Sequence, residues 1–460
     1  MNLQTKIHTT LMHHHQEDLW EHFKNLPAAE QEILGENLSR IHFPLMEALF
    51  YEYRRDDGES SADISPLQRN EYHILQNLGD PPPEILTLGE NYLKAGKLAV
   101  VLLAGGVGSR LAFPAPKGMF PITPLTQKTL FEVHFEKMRV MQQKYSVALR
   151  IYLMTSRATH DATRAYLAEH DYFGMSPQRV FLFEQGEMPA FSPETGSLLL
   201  KNPREICLGP DGHGGLLTAL LSSGAYADME NHGVESIFTF HVDNPLVPIA
   251  DPGILGCHLE AESEMSLLAV RKTGPQERVG NVVRRGGKNG KKASPAIVEY
   301  LDFPDSLASQ RDAEDSLKYW AGSIGIHIFD LSFLRRMTEM VIADPLSLPW
   351  HFPLKKMTTL SGEVWGIKPE RFIFDILPFS RYPLVLAVDR EATFAVLKDD
   401  PDVVTAHLDR LYKKWLRNAG VIFPENAVVE IAPSFALYEE EVRGRLPAGT
   451  VLEGERIYLS

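Results

Sequence analysis

The chain of 460 residues contains two cysteines, Cys207 and Cys257. So few thiols build no disulfide framework, and their scarcity suits a reducing compartment. Basic blocks are missing too: 46 Lys and Arg stand against 60 Asp and Glu, a formal net charge of −14. Nucleic-acid binding relies on clustered cations and is therefore disfavoured, which leaves any anion to a local site. No apolar stretch in the sequence comes near the ~20 residues that span a bilayer. The opening residues, MNLQTKIHTTLMHHHQEDLW, lack the apolar core of a signal peptide. The expectation is a cytoplasmic protein with neither a membrane nor a nucleic-acid partner. The run His13-His14-His15 can pick up metal adventitiously, and its neighbours suggest nothing more. Also absent are a Ser/His/Asp order, a Cys/His cluster with metal-ligand spacing and a close carboxylate pair. Phosphoryl and nucleotidyl transfer survive that exclusion, because they need positioning, cations and Mg²⁺ rather than a protein nucleophile.

The length exceeds what one core sustains, so two or three domains are expected. Through residues 1–95, apolar residues such as Leu19, Trp20, Phe23, Ile33, Leu34 and Leu38 recur every three or four positions. Pro27, Pro44 and the stretch Asp56 to Pro66 interrupt them, which predicts a helical N-terminal subdomain. From residue 96 the pattern alternates. Strands are predicted at Leu98–Leu103, Arg150–Thr155, Phe181–Phe183, Ile237–His241, Ser266–Val270, Trp320–Phe329 and Leu384–Val388. Helices are predicted at Thr129–Tyr145, Arg157–His170 and Leu217–Tyr226. This is the signature of an α/β doubly wound sheet over residues 96–400, whose ligands bind beyond the strands' carboxyl ends. Gly286 to Lys292 reads as a solvated hairpin tip. Residues 401–460 read as one amphipathic helix, Val403 to Arg417, and a small β appendage with tight turns.

The most informative stretch is LAVVLLAGGVGSRLAFPAPKGM, Leu98 to Met119. An apolar run of this kind makes a strand buried on both faces. It breaks into Ala104-Gly105-Gly106-Val107-Gly108-Ser109-Arg110, where bare backbone N–H groups can approach a polyphosphate and positive φ is open to each glycine. Lys117 follows between Pro116 and Gly118. The spacing of Gly105, Gly106 and Gly108 fits neither a dinucleotide fingerprint nor a Walker A loop, so a Rossmann oxidoreductase is set aside.

Three further constellations fall at predicted strand ends. In Glu184-Gln185-Gly186-Glu187-Met188-Pro189 the glutamine amide offers a donor and an acceptor to a base edge, although a plain turn stays open. Gly209-Pro210-Asp211-Gly212-His213-Gly214-Gly215 precedes a helix and suits close approach by base or ribose; a structural histidine stays equally open. In His241-Val242-Asp243-Asn244 the aspartate past a buried strand could hold Mg²⁺ together with substrate oxygens, or could cap a turn. Asp375 and Lys398 could each pair with another side chain.

LLAGGVGSRL followed by PKGMFPI resembles the glycine loop and P-K step of the UDP-sugar pyrophosphorylase family, most closely its UDP-N-acetylglucosamine pyrophosphorylases. The resemblance continues in order through FEQGEMPAF, PDGHGGL, HVDNPLVPIADP, IVEY, IKPERFIFDIL and FAVLKDD, covering about Lys97 to Asp400. It implies a nucleotidyltransferase fold, Rossmann-like and GT-A-like, with a mixed sheet. It also implies a uridylyltransferase that makes UDP-sugar and pyrophosphate from UTP and a sugar 1-phosphate, N-acetylglucosamine 1-phosphate being favoured. Leu103, Ala104, Gly105, Gly106 and Gly108 would then wrap the nucleotide, with Arg110 and Lys117 on the UTP phosphates. Gln185, Met188 and Pro189 would face uracil, and Gly212, His213 and Gly214 would lie beside base or sugar. Asp243 would meet Mg²⁺ (or Mn²⁺), and Lys398 would reach the phosphates. Gly214, Asn244, Glu299, Gly322 and Ser323 would contact the sugar.

One stretch departs from the family pattern. Where N-acetylhexosamine enzymes carry N-A-G-N, this chain has Trp320-Ala321-Gly322-Ser323, and the serine has a shorter reach than asparagine. A UDP-glucose or broad UDP-sugar pyrophosphorylase is therefore the same-class alternative. A non-catalytic UDP-sugar-binding protein is the alternative from another class; it would bind nucleotide without releasing pyrophosphate. Oligomeric state is left open.

Overall fold

The computed structural model describes residues 3–55, 63–75, 81–286 and 293–460. The expected hairpin tip lies almost wholly outside them, as does much of the Asp56–Pro66 interruption. The chain divides into two compact units, each discontinuous in sequence.

The larger unit comprises Ser60–Glu184, Leu220–Met337 and Ile376–Ser460. Its mixed sheet contains β1 (Tyr72–Leu75), β2 (Leu98–Leu103), β3 (Arg150–Thr155), β4 (Val180–Glu184) and β5 (Ser236–His241). It continues with β6 (Met265–Arg271), β7 (Gly280–Arg285), β8 (Ser294–Val298), β9 (Ala321–Asp330) and β10 (Leu384–Val388). The main path runs β1-β10-β6-β9-β5-β2-β3-β4, with β7 joined to β9 and β8 to β7. β5, β2, β3 and β4 are parallel neighbours, as are β6, β10 and β1, whereas β9 runs antiparallel to both β5 and β6. All six residues of β2 are buried, in keeping with its unbroken apolar run. The predicted α/β class with a mixed sheet is the observed one.

Departures from the sequence reading have local causes. The predicted helix Leu217–Tyr226 is two, Leu216–Ser222 and Ala225–Asn231, because Gly224 takes φ +80° between them. β1 is a sheet-edge strand in a region expected to be helical, since four residues carry no period that separates strand from helix. The terminal strands Val428–Ile431 and Arg456–Leu459 pair in parallel rather than as a tight hairpin, with helix Glu439–Arg445 in the crossover.

The unit boundaries also differ from a division at residues 95 and 400. Helix Pro83–Lys94 belongs with the sheet, packed on helix Pro252–Glu260. The last sixty residues share its core: Leu408, Trp415, Val429 and Ile457 lie in one apolar cluster with β2 and β3. Glu430, 1% exposed, accepts the N–H groups of Leu125 (2.6 Å) and Thr126 (2.9 Å) and the Thr126 hydroxyl.

The smaller unit comprises Met1–Glu59, Gln185–Ala219 and Thr338–Asp375. The helices Leu3–His13, Glu17–Lys24, Ala28–Ser39 and Phe43–Arg54 bury Leu11, Phe23, Leu34 and Leu49 against Phe191, Ile206, Trp350 and Ile367. Periodicity reveals the apolar stripe of each helix but not the partner, here supplied from more than a hundred residues away.

Candidate active site

In the larger unit the glycine loop leaves the end of β2 and folds back on the segment that follows. The Gly108 N–H donates to Ala115 O (3.0 Å), and the Lys117 N–H donates to Gly106 O (3.0 Å). Ser156, just past β3, donates its hydroxyl to Gly105 O at 2.8 Å, while the Ala104 N–H donates to Met154 O at 2.8 Å. Although positive φ is open to them, none of Gly105, Gly106 and Gly108 adopts it. What Gly108 supplies is room: a Cβ there would lie 2.8 Å from Phe113 O. Leu103 and Ala104 are buried at the strand end, and Arg110 is exposed in the short turn Ser109–Leu111.

This folding carries Lys117 to the end of β5. Its Nζ lies 3.2 Å from Asp243 Oδ2 and donates to Leu397 O at 3.3 Å. Two groups from the Leu130–Tyr145 helix anchor the loop after β5. His134 donates Nε2–H to Val242 O (2.8 Å), and Lys137 donates to Pro245 O (2.5 Å) and Val247 O (3.2 Å). Burial pushes both down, His134 to about 3 and Lys137 to about 7. Neither was found by sequence reasoning; one histidine and one lysine on an amphipathic helix carry no motif.

Asn244 was expected near the sugar, but the structure gives its amide another task. It is 2% exposed, donates to Thr393 O (2.8 Å) and accepts the N–H groups of Leu246 (3.2 Å) and Ala395 (3.1 Å). It thereby ties the Asp243 loop to the segment that leads to Lys398. The Lys398 ammonium donates to Arg278 O at 2.8 Å; burial lowers its pKa, opposed by Asp243, Glu299 and Glu277. Glu299 follows β8, and its Oε1 lies 3.6 Å from where a Cβ on Gly280 would sit, with Ser323 Cβ 3.8 Å from the same point. Ser323 and Glu299 therefore flank Gly280. Gly322 points the other way, toward Val279 and the Lys272 stem, as the alternation of a strand requires. Trp320 is held by Tyr72 (ring centroids 5.0 Å apart) and the Arg271 guanidinium (5.0 Å).

Among the described residues there is no group of three or more His, Cys, Asp or Glu able to hold a metal. Asp243 nonetheless fits a Mg²⁺ that arrives with a polyphosphate. Its carboxylate is 22% exposed and keeps lone pairs beyond the one facing Lys117, and Mg²⁺ commonly takes one or two protein carboxylates plus phosphate oxygens.

The smaller unit gathers the other predicted residues. Glu187–Pro189 pairs with Leu208–Pro210, setting Met188 opposite Gly209. Gly212 has φ +82°, and the Gly214 N–H donates to Arg371 O at 2.8 Å. His213 Nδ1 accepts the Ile373 N–H at 3.1 Å, which leaves the proton on Nε2. Its ring stacks on Phe372 (5.0 Å, 12°), and Phe372 stacks in turn on His351 (4.0 Å). His351 Nε2 lies 2.9 Å from Asp375 Oδ2, the side-chain pairing that the sequence left open for Asp375. Sequence reasoning missed Asp211 as a buried group. Burial pushes its carboxyl up to about 6, against the pull of the Arg371 guanidinium.

A family model described as UTP–glucose-1-phosphate uridylyltransferase matches residues 44–355, more than half the chain. The chain belongs to this family. A UDP-N-acetylglucosamine pyrophosphorylase of Saccharomyces cerevisiae is 31% identical, the match covering 95% of this chain and 97% of that one. UDP-N-acetylglucosamine diphosphorylase 2 of Arabidopsis thaliana is also 31% identical, over 88% and 83% respectively. Among solved structures, the uridine diphosphate N-acetylglucosamine pyrophosphorylase of Trypanosoma brucei superposes with a TM-score of 0.82 at 23% identity, covering 100% of this chain and 98% of that chain. A UDP-glucose pyrophosphorylase of Leishmania major gives 0.64 at 16% identity over 94% and 91%, a likeness of fold. The family's fold thus accounts for the mixed sheet. No helix among the described residues is long and apolar enough to cross a membrane.

Proposed function

We propose that the protein is a uridylyltransferase that joins UTP and N-acetylglucosamine 1-phosphate into UDP-N-acetylglucosamine and pyrophosphate. Family membership and the two relatives named for the N-acetylglucosamine reaction, at 31% identity over most of both chains, carry the reading. They favour it over a UDP-glucose pyrophosphorylase, since the Leishmania major enzyme of that name shares only 16% identity with this chain.

A phosphate oxygen of the sugar 1-phosphate attacks the α-phosphorus of UTP in line. A new P–O bond forms as the bond from the α-phosphorus to the bridging oxygen breaks, and pyrophosphate leaves with that electron pair. No general base is required, because the attacking phosphate is already an anion near neutral pH. Lys117 and Arg110 would meet the UTP phosphates and offset charge growing on the leaving oxygens. Lys398 would hold the sugar phosphate, with Glu299 and Ser323 toward the sugar. Gln185, Met188, Pro189, Gly212, His213 and Gly214 would take the uridine. Asp243 would hold Mg²⁺, which supplies positive charge to phosphate oxygens when bound. Two buried free thiols, Cys207 and Cys257, support a cytoplasmic setting.

The test is pyrophosphate release from UTP with a panel of sugar 1-phosphates. N-acetylglucosamine 1-phosphate is expected to give the highest kcat/KM, and chelation of divalent cations is expected to stop turnover. Nucleotide binding by calorimetry without pyrophosphate release would defeat the enzymatic reading; a preference for glucose 1-phosphate would defeat the choice of sugar. A second outcome follows from the glycine loop. Ser156→Ala removes the hydroxyl on Gly105 O, and at about 1 kcal/mol for one hydrogen bond the KM for UTP should rise roughly fivefold. Unchanged KM in steady-state kinetics would show that the loop holds its shape without that bond.

A further inference from the structure

In the larger unit, residues 394–400 link helix Arg390–Thr393 to helix Pro401–Asn418 and form neither helix nor strand, yet they carry Lys398. A segment without a ladder of its own takes its place from the bonds that neighbours offer its backbone. Here those bonds come from the glycine-loop lysine and the end of β5. The Asn244 amide nitrogen donates to Thr393 O (2.8 Å), and its oxygen accepts the Ala395 N–H (3.1 Å). The Leu397 N–H donates to Asp243 O (2.8 Å), and Leu397 O accepts from the Lys117 ammonium (3.3 Å). Lys398 comes next, with its own ammonium on Arg278 O at 2.8 Å.

These bonds differ in how well they outlast substrate binding. The Lys117 side chain is 19% exposed and, on the uridylyl-transfer reading above, turns to the UTP phosphates, which loosens its hold on Leu397 O. Asn244 is 2% exposed, and both lone pairs of its amide oxygen are engaged, the second by the Leu246 N–H at 3.2 Å. Its bonds are shielded from water, and its oxygen has nothing left to offer a sugar. The loop that bears Asp243 has other supports. The Val242 N–H donates to Leu103 O (3.0 Å), His134 holds Val242 O, and Lys137 holds Pro245 O and Val247 O. Loss of the Asn244 amide therefore falls chiefly on the segment that carries Lys398. We propose that Asn244 is a positioning residue that fixes Lys398 relative to Asp243, and so sets where the sugar 1-phosphate is held against the α-phosphorus of UTP. The inference rests on the uridylyl-transfer reading, which places Lys398 on the sugar phosphate, and assigns to Asn244 a task that the reading itself does not need.

The experiment measures pyrophosphate release with N-acetylglucosamine 1-phosphate varied, and UTP binding by calorimetry, in the wild type, Asn244→Ala, Lys398→Ala and the double variant. Asn244→Ala should lower kcat/KM for the sugar phosphate by about a hundredfold, the cost of misplacing a reacting group by ~1 Å. The UTP dissociation constant should stay within about threefold of wild type, since the groups that take the nucleotide keep their own anchors. In the Lys398→Ala background, the same change at Asn244 should cost less than about threefold more, because the two act as a unit. Calorimetric stoichiometry counts the binding-competent molecules, so a variant that folds only in part is still read per active site. If Asn244→Ala is not recovered, Asn244→Asp carries the comparison: it still accepts both N–H groups but has no donor for Thr393 O. Losses that multiply in the double variant, or UTP binding weakened as much as sugar-phosphate use, would reduce Asn244 to a structural residue and overturn the proposal. Unchanged sugar-phosphate kinetics in Asn244→Ala would overturn it too. If Lys398→Ala left kcat/KM for the sugar phosphate unchanged, the role of Lys398 would fall and the proposal with it. No pyrophosphate release by the wild type with any sugar phosphate would instead defeat the reading of function.

Discussion

Replacing Lys117 by alanine is expected to lower kcat for pyrophosphate release by about 10²–10³-fold, the usual cost of removing one preorganised electrostatic stabiliser. The lysine is placed before any substrate arrives. Its backbone N–H is bonded to Gly106 O, and its ammonium is held between Asp243 Oδ2 and Leu397 O at 3.2 and 3.3 Å. Only 19% of the side chain is exposed, so its charge is incompletely screened. Charge that grows as the α-phosphorus bond breaks would draw most on such a group, so the loss should fall on kcat more than on the KM for UTP. Lys117→Arg should not restore activity, because the planar fork does not reproduce a compact ammonium between those two oxygens. Stability should change little, since the pair is partly exposed and not a buried one. Steady-state kinetics alongside a melting curve checks all three statements. A variant within about threefold of wild-type kcat, well short of that cost, would remove Lys117 from the chemistry.

The second large effect concerns stability. Gly89→Ala should destabilise the protein by about 3 kcal/mol or more, the upper range for overpacking. An exposed glycine inside a helix would behave oppositely, gaining roughly 0.8–1.0 kcal/mol on conversion to alanine. Gly89 sits where helix Pro83–Lys94 crosses helix Pro252–Glu260, and a Cβ on it would lie 1.8 Å from Pro252 O and 2.7 Å from Pro252 C. Gly256 answers from the other helix, its own Cβ position lying 2.0 Å from Ile85 O. Both obstacles are backbone, so no rotamer change relieves them and the helices must part. Urea denaturation should show a lower midpoint, while kcat per folded molecule should stay near wild type because the crossing lies outside the catalytic groups. A midpoint that held or rose would show that the helices separate at little cost.

How much of this was legible beforehand depended on whether the information was local. The β2 run and the loop behind it were visible because burial on both faces forces an unbroken apolar stretch, and because a glycine is needed where Phe113 O approaches Gly108. Arg150–Thr155 and Leu384–Val388 have the predicted bounds for the same reason. The surroundings of Asn244 and Asp211 were not legible. Asn244 spends its amide on Thr393, Leu246 and Ala395, and Asp211 depends on Arg371, partners distant in sequence that no local spacing announces. The Trp320–Ser323 departure also changed in meaning once β9 was in place. Trp320 is committed to Tyr72 and Arg271, and strand alternation leaves Ser323 as the member of that stretch beside Glu299.

By itself, then, the sequence determined the α/β class, the glycine loop with its two cations, and the family, since periodicity, buried apolar runs and ordered motifs are properties of neighbouring residues. Only the tertiary structure decided that the N-terminal helices share a core with Phe191, Trp350 and Ile367, and that Lys117 meets Asp243. It alone showed that residues 401–460 complete the core of the sheet unit. These outcomes depend on which buried surfaces and charges find each other across a hundred residues or more, and side-chain packing settles that only once the whole chain has closed.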